Sequence, residues 1–459
     1  MTPFERRAAV SLATIFSMRM LGLFMVLPVL ALYTKSLPGA TPFLAGMAIG
    51  IYGLTQAVLQ IPFGMLSDKL GRKPVIAFGL LIFAAGSVLA AMSPSVHGVI
   101  LGRALQGAGA VAAAVMALAA DLTREEHRTK AMAMIGMSIG TSFVVAMVAG
   151  PLLNNWIGVQ GIFWVIGALA IFGIVLLFVM VPHPRQMRFH RDTELVPGQL
   201  RNVLRNPQLL RLDFGILVLH MTLTATFTVI PLALRDVAHF DPSRHWILYL
   251  PVMTLAMIAS VPFIIIAEKK RKMKEVVLAA IAVLGLAELG MMEFHSSVVI
   301  IGLVMWVYFT AFTLLEATMP SMLSKIAPAD AKGTGMGVYS TSQFLGAFIG
   351  GAAGGWFYGA HGFAGVFAFC AALIAVWLAW ASTMKQPPYL KTSMLNVGTI
   401  DPEQATQLAS QIAKVPGVAE VVVSAEDGVA YLKVDSKVLD EVQLDRFSVG
   451  DSNAVPAQA

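Results

Sequence analysis

Apolar runs of about 20 residues, long enough for a helix to cross a hydrocarbon core, recur along most of this chain between short polar turns. They fall at 9–34, 42–66, 74–92, 98–119, 129–153, 161–182, 211–234, 245–267, 276–294, 297–322, 332–358 and 361–384. The pattern predicts twelve membrane-spanning helices. The first run has no short apolar core followed by a small-residue cleavage site, so the expectation is a retained span and not a removed leader.

Composition agrees with lipid as the solvent. Of 459 residues, 57% are hydrophobic and 13% charged, and the mean hydropathy is +0.75; soluble domains carry about a quarter charged residues. The single cysteine, Cys370, lies in the last span and excludes an internal disulfide or a thiol metal site. An even number of spans places both termini on one side. The loops there hold 23 Lys and Arg, against three opposite: Lys35, Arg235 and Arg244. Basic loops stay inside, so both termini are expected in the cytoplasm. The net charge of +6 combines −6 on residues 395–459 with +12 on the rest. That basicity is topological and gives no support to nucleic-acid binding.

The longest loop between spans, rich in Pro and Arg (Arg185, Arg188 and Arg191 among them), reads as a connector. The expected organisation is an N-terminal six-helix half (1–184), a connector (185–210), a C-terminal six-helix half (211–386), a linker (387–393) and an appended domain (394–459). A worn repeat supports two halves. Glu268 and Lys272 stand 200 positions after Asp68 and Arg72, and the glycines of span five mirror those of span eleven. Duplicated halves imply a substrate path between them and access that alternates by rocking.

One charged turn names the family. Gly64-Met65-Leu66-Ser67-Asp68-Lys69-Leu70-Gly71-Arg72-Lys73-Pro74 resembles the signature loop of the major facilitator superfamily, G-x-L-x-D-x-x-G-R-[RK]-x. Gly64 and Gly71 permit a tight reversal, while Asp68 is a fixed negative charge beside Arg72 and Lys73. The resemblance implies a latch between the halves. Asp68 would sit against the N-terminal end of span eleven near Gly333, and Arg72 would pair with Asp121. Arg103 with Gln106 and Gly107 in span four is similar to a second family motif, in which the arginine tunes a carboxylate's proton affinity; the alternative is an arginine snorkelling to the interface. Gly150-Pro151 in span five looks like the core of the antiporter motif, with Ala146 and Asn154-Asn155 departing from it. Small residues there still allow close helix packing, and Pro151 a kink. Leu21-Gly22 followed by Pro28-Val29 resembles the twelve-span drug/proton antiporter branch.

Ionisable side chains inside the spans are the candidates for proton coupling, because an unpaired charge there is costly. Glu316 is the first choice for proton carrier, with His220, Arg103 and Glu288 beside it. Asp213 and Glu293 lie near span ends, where water reaches them. The 26 Met and 26 Phe suit an apolar, adaptable cavity for lipophilic or weakly cationic compounds.

Past Pro387-Pro388 the pattern turns to a small α+β unit. Strand signals at Met394 to Val397, Val418 to Ser424 and Val429 to Val434, the last two flanking Glu426-Asp427-Gly428, alternate with helices at Pro402 to Val415 and Lys437 to Asp445. A short strand near Phe447 completes an expected ferredoxin-like βαββαβ order. Asn396-Val397-Gly398 and Val415-Pro416-Gly417-Val418 resemble the heavy-metal-associated domain. Its two cysteine positions hold Asp401 and Gln404, so soft-metal binding is not carried over.

The expected class is therefore an all-α membrane protein with an α+β appendage, not an enzyme, with no cofactor or metal. The favoured function is a proton-coupled antiporter of a bacterial inner membrane that exports small lipophilic molecules. Symport or facilitated passage of a metabolite or sugar is one alternative, and a sensor signalling through the C-terminal domain another. The partners are the small-molecule substrate, protons and the bilayer, with docking or self-association through the acidic appendage.

Overall fold

The structure, a computed structural model, describes residues 1–183, 197–294, 296–328, 331–398, 400–425, 428–435 and 437–448. Arg185, Arg188, Arg191, Glu426 and Asp427 lie outside the described residues. Ten helices are long and apolar enough to cross a membrane. Two of them, Glu125–Val179 and Lys332–Ser382, each hold a glycine outside helical geometry, Gly158 (φ 68°, ψ 174°) and Gly362 (φ 66°, ψ −158°).

Packing shows that the chain reverses at both glycines. Before Gly158, Ser138 and Ser142 donate to the carbonyls of Ala13 and Ser17, and Gly150 meets Met25, so this stretch runs parallel to span one. Beyond Gly158 the order inverts: Gly22 meets Ile166, Ile15 meets Gly173, and Arg7 donates to the carbonyls of Val179 and Met180. The second long helix repeats this on span seven. Gly346, Gly350 and Gly354 meet Leu217, Met221 and Ala225 in step. Past Gly362, Cys370 lies at Thr226, Trp377 at Gly215 and Trp380 at Phe214. Each long helix is therefore two antiparallel spans, and the chain crosses twelve times.

The spans are Pro3–Phe24 continued by Leu27–Lys35 (one), Pro42–Leu70 (two), Arg72–Met92 (three), Val96–Ala108 continued by Ala112–Asp121 (four), the two arms of Glu125–Val179 (five and six), Pro207–Asp236 (seven), His245–Lys269 (eight), Met273–Glu293 (nine), Val298–Ile326 (ten) and the two arms of Lys332–Ser382 (eleven and twelve). Local chemistry sets several ends. Thr2 and Glu5 form a capping box on span one, Thr41 and Asn206 cap spans two and seven, and Gly71, at φ 96°, turns span two into span three.

The halves meet through spans two and eleven. A Cβ at Gly50 would lie 2.7 Å from the Phe348 carbonyl, and one at Gly351 would lie 2.5 Å from the Gly46 carbonyl. Only glycine permits such backbone contact. Lys35–Asp236 (3.1 Å) and Asn155 to the Ser243 carbonyl (2.7 Å) join the halves at the same face. Nearer the face carrying the termini, Cβ atoms at Gly136 and Gly140 of span five would meet nothing within 4 Å.

The C-terminal unit is a three-stranded antiparallel sheet in the order β1-β3-β2, with β1 Lys391–Asn396, β2 Val418–Ser424 and β3 Val429–Val434. Helices Pro402–Ile412 and Glu441–Asp445 accompany it. The strand expected near Phe447 does not form at that residue. The Phe447 and Ser448 amides bond back to the Leu444 and Asp445 carbonyls, continuing the helical turn, while Phe447 packs on the core of Leu395, Ile412, Leu432 and Leu444.

Gly351→Val adds side-chain volume where two backbones touch, an overpacking that costs about 1–3 kcal/mol. Closure of this face should fall roughly tenfold for each 1.4 kcal/mol. Pulsed electron paramagnetic resonance between spin labels at Ser36 and His239 should show the short separation depleted; an unchanged distribution would contradict the seam.

Candidate functional site

The C-terminal half places titratable groups from three spans together. His220 of span seven sits with Nε2 at 2.9 Å from Glu316 Oε1 of span ten and 2.8 Å from Gln343 Nε2 of span eleven. His220 Nδ1 lies 3.3 Å from the Ile216 carbonyl. A carbonyl can only accept, so Nδ1 carries a hydrogen and Nε2 is the nitrogen that faces the Glu316 carboxyl and the Gln343 amide. At this distance a carboxyl and an imidazole can pass a proton between them. The Glu316 side chain keeps 31% exposure, and Phe312 and the Phe143 ring of span five wall the pair from the other half.

Two more acids lie deeper. Glu288 of span nine is fully buried, accepts from Thr226 at 2.8 Å, and has a second oxygen with no hydrogen-bond partner among the described residues. Asp213 corrects the expectation of a wet span end: it is 6% exposed and neither carboxyl oxygen has a hydrogen-bond partner among the described residues. Neighbouring helices cover the first turns of span seven, Trp377 and Met319 closing on Gly215. Tyr339 of span eleven stands within electrostatic range of both Glu316 and Asp213. Nothing in the sequence marked Tyr339, because an aromatic in a span is usually packing. Glu293 is exposed.

The N-terminal half carries the opposite sign. Arg103 does not snorkel. It is 0% exposed, and donates through Nε to the Ala48 carbonyl at 3.3 Å and through Nη1 to Gln106 Oε1 at 2.9 Å. Gln106 in turn donates to Ser87 at 2.8 Å. Arg19 is 1% exposed and reaches Gln56 Oε1 (2.5 Å) and the Gly109 carbonyl (3.1 Å), the latter where span four is interrupted. Its position was visible in the sequence, but no motif drew attention to it.

The charged turn forms its own cluster at the face bearing the termini. Arg72 donates to Asp121 at 3.2 Å and to Ser67 at 2.9 Å, and also pairs with Asp68. Lys73 donates to the Val181 carbonyl at 2.6 Å, tying the turn to the end of span six. Gly64 lies against Ala113 of span four. Asp68 is one-third exposed and turned to Arg72, not to the N-terminal end of span eleven. Gly150 packs so closely on the Met25 carbonyl that a Cβ has no room, with Pro151 next to it inside the helix.

The profile described as Major Facilitator Superfamily matches residues 12–349 and 273–397. The chain is 49% identical over 447 residues to the inner membrane transport protein YajR of Escherichia coli (strain K12), covering 97% of this chain and 98% of that protein. It is 25% identical over 338 residues to the quinolone resistance protein NorA of Staphylococcus aureus (strain MSSA476), with 72% and 84% covered. Among solved structures, a bacterial homologue of the human lysosomal transporter Spinster, in an inward-facing and occupied conformation, superposes with TM-score 0.69 at 13% identity, with 83% and 97% covered.

The two partners of Arg72 should differ in what they contribute to stability. Asp121 is fully buried and Asp68 one-third exposed, so Asp121→Asn should destabilise by about 3–5 kcal/mol and Asp68→Asn by about 1 kcal/mol or less. Thermal unfolding of the purified variants reads the difference, and equal losses would refute this ranking.

Proposed function

Because the chain belongs to the major facilitator superfamily, we propose that it is a proton-coupled antiporter of a bacterial inner membrane that exports small lipophilic molecules by alternating access. The observation that carries this reading is the contact between His220 and Glu316 at 2.9 Å. The two side chains are 11% and 31% exposed, inside the bundle yet within reach of water. Glu288, fully buried behind it, is a reserve carboxyl of the same half, and Arg103 is the fixed charge of the other. On this reading the face bearing the termini is cytoplasmic, since its loops hold the basic excess, and the chain is in its inward-facing state. The relative named for quinolone resistance supports export of small aromatic solutes.

The charged turn acts as the latch of the opposite state. With the halves parted at this face, Asp68 rests on Arg72. When they close, the carboxylate is free to meet the N-terminal end of span eleven, while Arg72 stays on Asp121.

The appended domain docks across both halves. Arg128 Nη1 of span five lies 3.6 Å from Met394 Sδ, Lys433 Nζ donates to the Lys325 carbonyl of span ten at 3.0 Å, and Arg271 pairs with Asp435 at 3.6 Å. Burial of the Lys433 ammonium lowers its pKa below the usual lysine value, as befits a contact sealed from water. Such bridging favours the parted arrangement seen here, so the domain regulates transport by bracing one state.

Proteoliposomes loaded with a fluorescent quinolone, given an imposed pH gradient, test the mechanism. Exchange of quinolone for protons is expected in the native chain. Glu316→Gln and His220→Asn should abolish gradient-driven accumulation, by at least tenfold, and Asp68→Asn should lower flux at normal yield of folded protein. Co-movement of proton and solute would establish symport, and no flux in either direction would favour a sensor. Deleting residues 388–459 should change the kinetics of the same exchange; a truncation indistinguishable from the full chain would remove the bracing role.

A further inference from the structure

The N-terminal half contains two buried positive charges that no acid among the described residues neutralises. Glu5, Asp68 and Asp121 are the acidic side chains described there, and each already pairs with an arginine, Arg124 or Arg72. Arg19 and Arg103 have only carbonyls, the amides Gln56 and Gln106, and aromatic faces. Both guanidiniums lie over the Tyr52 ring, their Cζ atoms 5.8 and 5.1 Å from its centroid, and Arg19 lies 5.6 Å from that of Phe83. Three of their N–H groups, on Arg19 Nε and Nη1 and on Arg103 Nη2, have no acceptor among the described residues. Buried unpaired donors are costly, and buried unpaired charges far more so.

This cluster stands where the halves meet. The Tyr52 ring lies 6.4 Å from that of Phe344 in span eleven, and the residue before Phe344 is Gln343, which touches His220. The arginines of one half and the proton pair of the other therefore share one short stretch of span eleven. When the seam of spans two and eleven parts, that stretch moves away from Tyr52 and the guanidiniums gain access to the space between the halves.

We propose that Arg19 and Arg103 bind the acidic head group of the exported compound, so that the substrate class is an organic acid, a carboxylate or sulfonate on an apolar body. The unsatisfied N–H groups supply the charge-assisted hydrogen bonds that a planar carboxylate takes from guanidinium. The Phe and Met of the cavity take the apolar body. The role assigned here to Arg103 replaces the expectation of weakly cationic compounds: a cation entering this half would meet two like charges and no counter-charge. The inference rests on reading the chain as an exporter, but equilibrium binding requires no gradient, so its failure is separable from a failure of proton coupling.

The test is thermal unfolding of the full-length protein in detergent with three ligands of one apolar body: 2-naphthoate, 2-naphthalenesulfonate and the cation 2-naphthylmethylammonium. Both anions should raise the midpoint saturably and the cation should not, a comparison made within the native chain. Arg19→Gln and Arg103→Gln should each weaken naphthoate binding at least tenfold. Each arginine variant should still unfold in one cooperative transition without ligand, separating loss of the site from loss of the fold. The proposal is overturned by no shift with either anion, by a cation shift as large as the anions', by a shift with chloride alone to which neither anion adds, or by undiminished binding in the folded arginine variants.

Discussion

A charge in hydrocarbon must find a partner, a carbonyl dipole or a way to lose its proton, and this chain resolves that constraint differently in its two halves. The C-terminal half holds the acids: Glu316 against His220, Glu288 against Thr226, and Asp213 with no hydrogen-bond partner among the described residues. The N-terminal half holds guanidiniums, which cannot lose theirs, and surrounds them with carbonyls, amides and rings. One wall of the central space thus carries acids and the other arginines. On the proposed reading, proton handling and anion binding fall on opposite sides of the moving interface.

What connects the two walls is the seam of spans two and eleven. Gly46, Gly50 and Gly53 meet Gly351, Phe348 and Phe344 backbone to backbone, and a contact of that kind is either made or broken, with little between. Span eleven carries Gln343 and Tyr339 toward the proton pair and Phe344 toward Tyr52. A change in the hydrogen bonding of His220 is therefore felt by the helix that closes the far face. The appended domain reaches spans five and ten of the two halves.

Much of this was legible in the sequence because lipid leaves few choices. Span length, the basic loops and the repeat fix a twelve-crossing, two-half architecture, and the spacing of Gly64 to Pro74 carries the family. The reversal at Gly158 falls in the break between the apolar runs 129–153 and 161–182, whereas Gly362 lies just inside the run 361–384, past the break before it. Burial was harder to read. Asp213 sits two residues into the first full turns of its span, and sequence position alone cannot tell that Trp377 and Met319 cover that end. Arg19 belongs to no pattern, and only its fully described surroundings show that no acid comes near. The strand expected at Phe447 rested on a repeating order, whereas local amide bonding settled that turn.

The partition of charge also sets how the membrane potential enters. Moving one elementary charge across 100 mV is worth ~2.3 kcal/mol. Exchange of an inbound proton for an outbound monocation moves no net charge, and the potential does nothing for it. Exchange for a neutral solute moves one charge. For an outbound monoanion, both movements carry positive charge inward, and 100 mV contributes about 4.6 kcal/mol, roughly a two-thousandfold concentration ratio. On the proposed reading, with Arg19 and Arg103 taking the solute and the acids of the other half the proton, the exchange is that last case, in which both components of the proton-motive force pull in the direction of export.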